Sequence, residues 1–237
     1  MDQVRRGYVP KDVQEFNKES IGKLLIAQRD LLYLLEHGYP IKSASTFVGN
    51  HFMLSERQRL AIVRATAEHN VLQERKKKQR RDDLSGETVY LDGLNIIITL
   101  EVALSESTLI HCMDGTLRDL AGLRGTYRLI DKTDVAIRLI GDKLEQMKVN
   151  EVIIYLDSPV SNTGRLKHKI LEMFEDYQFK ISVELVNNAD VILEKLPNVI
   201  TSDAIILNKC QSWINLTAEI LRDKAAKVEY IDLSNVS

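Results

Sequence analysis

The chain has 237 residues, of which 44% are hydrophobic and 28% charged, and its formal net charge is −2. This composition is ordinary for a soluble globular protein. No apolar run reaches the ~20 residues that a membrane-spanning helix needs, and the first residues lack the apolar core of a secretory signal. The two cysteines are too few for a disulfide framework. We therefore expect a cytoplasmic protein without a membrane partner.

Charge is distributed unevenly along the chain. Up to Ser85 there are 16 basic and 11 acidic residues, and from Gly86 on there are 16 and 23. A basic first third followed by an acidic remainder indicates two modules with different electrostatic tasks. We predict a small, separate all-α domain over residues 1–82 and an α/β domain over residues 86–237.

The N-terminal third has helical periodicity. Apolar residues recur at intervals of three and four from Ile21 to Leu35, and Gly38 followed by Pro40 is a helix stop signal. Ser55 and Gln58 have the spacing of a capping box, which predicts the start of a longer helix. A short helix, a turn and a capped helix have the outline of a helix-turn-helix, although many helical bundles share that outline.

A dense basic run ends this longer helix. It consists of Arg75, Lys76, Lys77, Lys78, Arg80 and Arg81. One interpretation is a solvated helix end that leads into the linker. The other is a patch that binds the phosphates of nucleic acid without reading sequence, because no aromatic residue is interleaved for base stacking.

From Gly86 on, strand and helix patterns alternate. The candidate strands are TVYLD, TLIHC, EVIIYLD, KISVELV, VITSDAIIL and KVEYIDL. Helical stretches between them include TDVAIRLIGDKLEQM and GRLKHKILEMFEDY. This alternation predicts a parallel sheet with helices on both faces.

Acidic residues stand at or just beyond several of these strand ends. They are Asp92, Asp157, Asp190 and Asp203. A single aspartate at a strand end is usually a helix cap or a turn residue. Because functional groups of parallel sheets gather at the carboxyl ends of the strands, these carboxylates would lie together and repel one another. Bound Mg²⁺ or Mn²⁺ would neutralise this repulsion and would activate a water for attack on a phosphodiester.

The motif DGLN, directly after the first strand of the α/β domain, resembles the opening motif of PIN-like nucleases, especially of the NYN branch. NNAD before a helix and TSD after a later strand resemble further acidic motifs of that family, in the same order along the chain. The resemblance covers about Thr88 to Leu233. The whole chain also looks like an uncharacterised, largely archaeal family in which a helical N-terminal domain precedes such a module. The resemblance to PIN-like nucleases implies a PIN-like, Rossmann-like fold and a metal-dependent hydrolase that cleaves RNA.

The resemblance implies roles for the acidic residues. Asp92, Asp190 and Asp203 would bind Mg²⁺ or Mn²⁺, and Asp157 would be a further catalytic acid. Asn95 would orient the carboxylate of Asp92 or a bound water.

Other residues would support this site. Gly93 would permit a tight turn, and Ser202 would hold a metal-bound water. Arg165 and Lys167 would add positive charge for nucleic acid, although helix residues of this kind are commonly just solvated. One acid of the family pattern has no clear counterpart, and Asp114 is a candidate for it, as are Asp119 and Glu101.

Other catalytic classes lack their motifs. The sequence contains no GxxxxGK[ST] loop, no GxGxxG fingerprint and no HExxH pair. MDGTL resembles the DxDGT motif of haloacid-dehalogenase-like phosphatases, but Cys112 stands where the nucleophilic aspartate would be.

Two functions therefore stay open. The first is a metal-dependent nuclease to which the basic helical module delivers RNA. The second is a non-catalytic nucleic-acid-binding or regulatory protein that contains a PIN-like module. In either case the helical module could instead form a homodimer.

Overall fold

The N-terminal third of the protein is helical. The computed structural model describes residues 4–122, 125–223 and 229–236. In chain order the helices of this third are α1 (Asp12–Glu15), α2 (Lys18–Glu36), α3 (Ile41–His51), α4 (Glu56–Ala65) and α5 (His69–Lys78).

Side-chain caps mark the start of α2, at Asn17, and of α4, at Ser55, but the sequence did not predict where α4 ends. The capping box of Ser55 and Gln58 opens α4, as its spacing predicted. The prediction of one long helix from Ser55 into the basic run is wrong, because α4 ends at Ala65 and Thr66 has extended backbone. The Ala65 carbonyl accepts a hydrogen bond from the amide of Met113, far along the chain, so a tertiary contact takes the place of a helical one.

The rest of the chain alternates strands and helices. In chain order these elements are β1 (Thr88–Asp92), α6 (Gly93–Leu104), β2 (Leu109–His111), β3 (Leu117–Asp119), α7 (Asp131–Gln146), β4 (Glu151–Asp157), α8 (Thr163–Met173), β5 (Lys180–Val186), α9 (Ala189–Leu193), β6 (Val199–Ile200), α10 (Ala204–Lys209), β7 (Trp213–Ile214), α11 (Leu216–Asp223) and β8 (Tyr230–Asp232).

The main sheet has five parallel strands in the order β5-β4-β1-β6-β7 and is flanked by helices. The expected α/β architecture with a parallel sheet is confirmed at this level. β1 is the central strand, with β4 on one side and β6 on the other. From β1 the chain continues to β4 and β5 on one side and then crosses to β6 and β7 on the other, so the carboxyl end of β1 lies at a point where α/β sheets commonly bind ligands.

Three of the six predicted strands do not lie in this sheet over their whole length. TLIHC and KVEYIDL contribute β2 and β8, which form a separate three-stranded sheet in the order β3-β2-β8. Lys227 and Val228, the first residues of KVEYIDL, lie outside the described residues. In VITSDAIIL the strand ends at Ile200 and the second half is helix α10, because Asp203 caps that helix.

The helical third and the small sheet share one hydrophobic cluster. Leu31 of α2 and Ile62 of α4 are fully buried in it together with Ile110 of β2 and Leu233. The buried Gln28 amide donates a hydrogen bond of 2.9 Å to the Leu233 carbonyl. The helices therefore pack against the small sheet and Leu233, which form part of their core. Within the described residues, no helix is both long and apolar enough to cross a membrane.

Candidate active site

Asp92 ends the central strand, and its side chain is taken out of water, with only 6% of the residue exposed. Its Oδ2 accepts a hydrogen bond of 2.8 Å from the Thr201 hydroxyl. Burial raises the pKa of Asp92 to about 7; the Thr201 hydrogen bond opposes this, and the charges of Asp203, Asp190 and Asp157 add to it. The carboxyl group therefore changes its charge near neutral pH.

Asp157 and Asp190 lie near this carboxylate. Asp157 is the last residue of β4, and its Oδ1 accepts a hydrogen bond of 2.9 Å from the Ala189 amide. Asp190 follows in the first turn of α9. Its pKa is raised first by burial and then by the negative charges of Asp203 and Asp157. The neighbouring negative charges thus make both Asp92 and Asp190 harder to ionise.

Asp203 completes the group at the start of α10. Its Oδ1 accepts hydrogen bonds from the amides of Ile205 (2.7 Å) and Ile206 (3.2 Å), so it is the N-cap of that helix. The group of Asp92, Asp157, Asp190 and Asp203 is called the acidic edge below. The structure brings these strand-end acids, chosen from the sequence, to one edge of the main sheet.

The side chains between the acids have different partners from those expected. Asn95 does not hold the Asp92 carboxylate: its Oδ1 accepts hydrogen bonds of 2.9 Å from both the amide and the hydroxyl of Ser202. Thr201 has the orienting role instead, since its hydroxyl donates to Asp92 and accepts from the amide of Asp203 at 3.0 Å. Thr201 was missed, although it is the first residue of the TSD motif.

Gly93 is required for a different reason from the expected turn. Its backbone φ is not in the left-handed region, where the structure has other glycines. A Cβ at Gly93 would lie 2.6 Å from Leu156, 2.7 Å from Ile154 and 3.0 Å from the Tyr155 carbonyl. Glycine therefore lets the start of α6 pack directly on β4, which sets where Asp92 and Asn95 stand.

The donor atoms of the acidic edge suit a hard divalent cation. They are carboxylate oxygens, and in the described part of the chain no Lys, Arg or His nitrogen lies within the 4.0 Å ion-pair distance of any of them. Among the same residues, no group of three or more His, Cys, Asp or Glu side chains is arranged to hold a metal ion. Mg²⁺ in proteins commonly keeps several waters and binds only one or two carboxylates. The carboxylates of the acidic edge therefore fit Mg²⁺ without forming a closed cage of protein ligands around it.

Comparison with known proteins gives the family. The profile of a family described as "Domain of unknown function (DUF5616)" matches residues 81–219, more than half of the chain. The chain belongs to the DUF5616 family. A second profile, "Protein of unknown function (DUF434)", matches residues 23–78. The uncharacterized protein MJ0935 of Methanocaldococcus jannaschii is 34% identical over 182 residues, which cover 76% of this chain and 87% of that protein. No solved structure matches.

The DUF5616 match contains the whole acidic edge, but Asp114 is not part of that edge. Asp114 is buried between two guanidinium groups, with 2.5 Å from its Oδ2 to Arg75 and 2.5 Å to Arg118. Burial works to raise the pKa of Asp114, but the two arginines and Thr116 outweigh it and lower the pKa. Asp114 is therefore part of an internal ion-pair network. It does not lie at the acidic edge, where the supporting role was expected.

The other candidates for the missing acid also have internal partners. Glu101 is fully buried, 2.8 Å from Arg6, and accepts a hydrogen bond of 2.6 Å from Tyr127. Asp119 is buried at the end of β3, where burial raises its pKa and Arg64 lowers it. Of the two, only Asp119 lines a cleft that reaches the acidic edge.

The basic run at the end of the DUF434 match is divided by the fold. Arg75 is buried: besides Asp114 it donates to the Asn208 side chain at 2.8 Å. The prediction that Arg75 belongs to a nucleic-acid-binding patch is wrong, because its guanidinium is buried and binds side chains of the DUF5616 region. Lys78 donates to the Leu207 carbonyl at 2.8 Å, and Arg80 pairs with Asp82 at 2.6 Å.

Other basic candidates stay accessible. Lys76, Lys77 and Arg81 are exposed, and Lys77 has Glu74 as an ion-pair partner on the surface. Arg165 is exposed and Lys167 half-buried on α8, the helix that follows Asp157 along the chain.

Proposed function

We propose that this protein is a nuclease that requires a divalent cation and hydrolyses phosphodiester bonds of RNA at the acidic edge. The observation that carries the proposal is the position of Asp92. It is a buried carboxylate at the end of the central strand, next to three further aspartates, and among the described residues no basic side chain forms an ion pair with any of them; the charges of Arg118 and Lys209 act on Asp203 and Asp190 from beyond ion-pair distance. Such an arrangement is costly without an external positive charge, which points to a function.

The proposal includes a PIN-like fold of the NYN type for the DUF5616 region. It is supported by the order of the motifs along the chain and by the place of each one at a strand end. DGLN begins at the last residue of β1, NNAD spans the start of α9 and TSD follows β6.

Within this proposal the chain's own residues position the oxygen ligands. A bound Mg²⁺ or Mn²⁺ would supply positive charge to the phosphate and a water of lowered pKa. Asp92, Asp190 and Asp203 would hold the cation. Thr201 fixes the rotamer of Asp92, and the capped amides of α10 fix that of Asp203.

The remaining polar groups would act on the substrate. Asp157, held by the Ala189 amide, stands at the same edge, where it could accept a proton from the attacking water. The exposed Lys76, Lys77 and Arg81 would contact phosphates further along the RNA without reading its sequence.

Cleavage of a labelled single-stranded RNA with Mn²⁺ or Mg²⁺ tests the proposal. We expect the wild-type protein to cut and EDTA to stop it. Asp92→Asn and Asp203→Asn should abolish cleavage while the protein stays folded, since asparagine keeps the hydrogen bond to Thr201 and the helix cap. Asp176→Asn, which removes an exposed carboxylate outside the acidic edge, is the matched control and should cut normally. Equal activity of all four proteins would refute the proposal.

A non-catalytic role in RNA binding is the second candidate. It is favoured by the backbone amides that already satisfy Asp157 and Asp203, and by the lack of three acids arranged around an ion in the described residues. RNA that is bound in EDTA and left intact with either metal would support this role.

A further inference from the structure

A cleft of about 400 Å³ lies between α6, β3 and the start of α10, and Arg64 of α4 in the helical third also lines it. Its polar lining includes Arg64 from α4, Asn95 from α6, Asp119 from β3 and Asp203 at the start of α10. We call this space the α4 cleft. It falls within the size range of small-ligand sites, and the helical third contributes Arg64 to a lining that otherwise comes from the DUF5616 region.

Arg64 has hydrogen-bonding capacity left in this cleft. About a third (34%) of its side chain is exposed. Its Nη1 donates to the Asp119 carbonyl and lies 3.7 Å from the Asp119 carboxylate. Among the described residues, no acceptor takes a hydrogen bond from its Nε or Nη2. Part of the guanidinium is therefore available to an anionic ligand.

Asp119 does not depend on Arg64 alone. Its Oδ2 accepts a hydrogen bond of 3.0 Å from Thr99, and its Oδ1 accepts one of 2.8 Å from the Ala121 amide. Because these groups already hold the Asp119 carboxylate, Arg64 could turn toward a ligand without leaving a buried acid unpartnered.

The α4 cleft is continuous with the acidic edge. Asn95 uses its Oδ1 for Ser202, and within the described chain its Nδ2 has no acceptor. Leu94 and Ile98 add apolar wall on the same side. The cleft thus offers an apolar surface, an amide donor, a guanidinium and the carboxylate of Asp203. A planar base with a polar edge and an attached phosphate matches this set of groups.

We propose that the α4 cleft binds one nucleotide, with its phosphate on Arg64 and its base against Leu94 and Ile98. This inference rests on the proposed function, because the nucleotide would adjoin the phosphodiester held at the acidic edge. It gives the helical third a direct part in binding the substrate, through a residue outside the basic run.

Equilibrium binding in EDTA tests the proposal without requiring cleavage. The probes are a short fluorescein-labelled single-stranded RNA and free AMP. We expect Arg64→Gln to weaken binding by about tenfold or more, since a charge-assisted hydrogen bond is lost. Arg138→Gln, which removes the same charge at an exposed position on α7, should leave binding unchanged. Weakening of RNA binding alone would identify a nucleotide unit of a strand as the ligand, and weakening of AMP binding alone a free nucleotide.

A second pair of variants guards against a folding defect in Arg64→Gln. Gly122 lines the cleft, and nothing lies within 4 Å of a Cβ placed there. Gly122→Leu should obstruct the cleft and weaken binding. Gly22→Leu, in equally open space on α2, should not.

The outcomes separate this inference from the proposed function. If binding depends on Arg64 and Gly122 but no metal-dependent cleavage is found, only the proposed nuclease function is refuted. Wild-type protein that binds neither probe, or folded Arg64→Gln and Gly122→Leu proteins that bind normally, would overturn the nucleotide site.

Discussion

The hydroxyl of Thr201 donates a 2.8 Å hydrogen bond to the buried carboxylate of Asp92. The same hydroxyl accepts the amide of Asp203 at 3.0 Å. One side chain thus ties the end of β1 to the start of α10, two segments separated by more than a hundred residues. It also stabilises the charged form of Asp92, but not enough to offset burial and the neighbouring acids, since the pKa of Asp92 is raised to about 7.

The first prediction concerns the dependence of stability on pH. The pKa of Asp92 rises from 3.8 to about 7 on folding, so between these pH values the native state holds a proton that the unfolded state has released. This stabilising contribution is fully present below about pH 4 and is lost as the pH rises through about 7. Wild-type protein therefore carries a penalty at pH 8, of about 4 kcal/mol at most. We expect Asp92→Asn to raise the free energy of unfolding at pH 8 by about 1 to 4 kcal/mol and to change it little at pH 4.5.

Urea unfolding at the two pH values measures this difference. Asp176→Asn, an exposed carboxylate, serves as the control and should behave like the wild type at both. An Asp92→Asn protein that is less stable than the wild type at pH 8 would contradict the raised pKa.

The second prediction concerns metal. If the acidic edge binds Mn²⁺, the ion stabilises the native state by mass action, and most strongly where Asp92 is ionised. We expect millimolar Mn²⁺ to raise the Tm of the wild-type protein clearly at pH 8 and only slightly at pH 5. Asp92→Asn should lose most of the increase at pH 8. A Tm increase of the same size in both proteins would place the bound Mn²⁺ elsewhere.

The third prediction concerns Gly93. A Cβ there would lie 2.6 Å from Leu156 and 3.0 Å from a backbone carbonyl, so α6 would have to move away from β4. Gly93→Ala should lower the free energy of unfolding by about 1 to 3 kcal/mol. Gly164→Ala is the matched control: it lies in helix α8 with nothing within 4 Å, so alanine should leave stability unchanged or raise it by up to about 1 kcal/mol. Thermal unfolding of both variants gives the comparison, and a neutral Gly93→Ala would show that the helix can shift at no cost.

Local signals in the sequence were reliable for helices and strands that depend only on residues close to them in the sequence. The capping box at Ser55, the strand that ends at Asp157 and the amphipathic α7 follow from residue type and spacing. The edge where the acids meet could also be predicted, because parallel strands direct their carboxyl ends the same way.

Partners distant in the sequence decided the rest. TLIHC and KVEYIDL have ordinary strand patterns, and nothing local says that they pair with each other beside the helical third. Arg75 looks like its neighbours in the basic run, yet it is buried, because Asp114 lies next to it in space. Arg64 and Asp119 form a cleft only after α4 packs on the small sheet.

The sequence by itself therefore determined several of the helices and strands, the parallel sheet and the four aspartates at its carboxyl edge. Only the tertiary structure decided which charges are internal, which hydroxyl holds Asp92 and where a ligand-sized space remains. The physical reason is that periodicity and capping depend on neighbours a few residues away. Ion pairs, burial and clefts depend on which distant segments meet, and a pattern within one segment does not encode that.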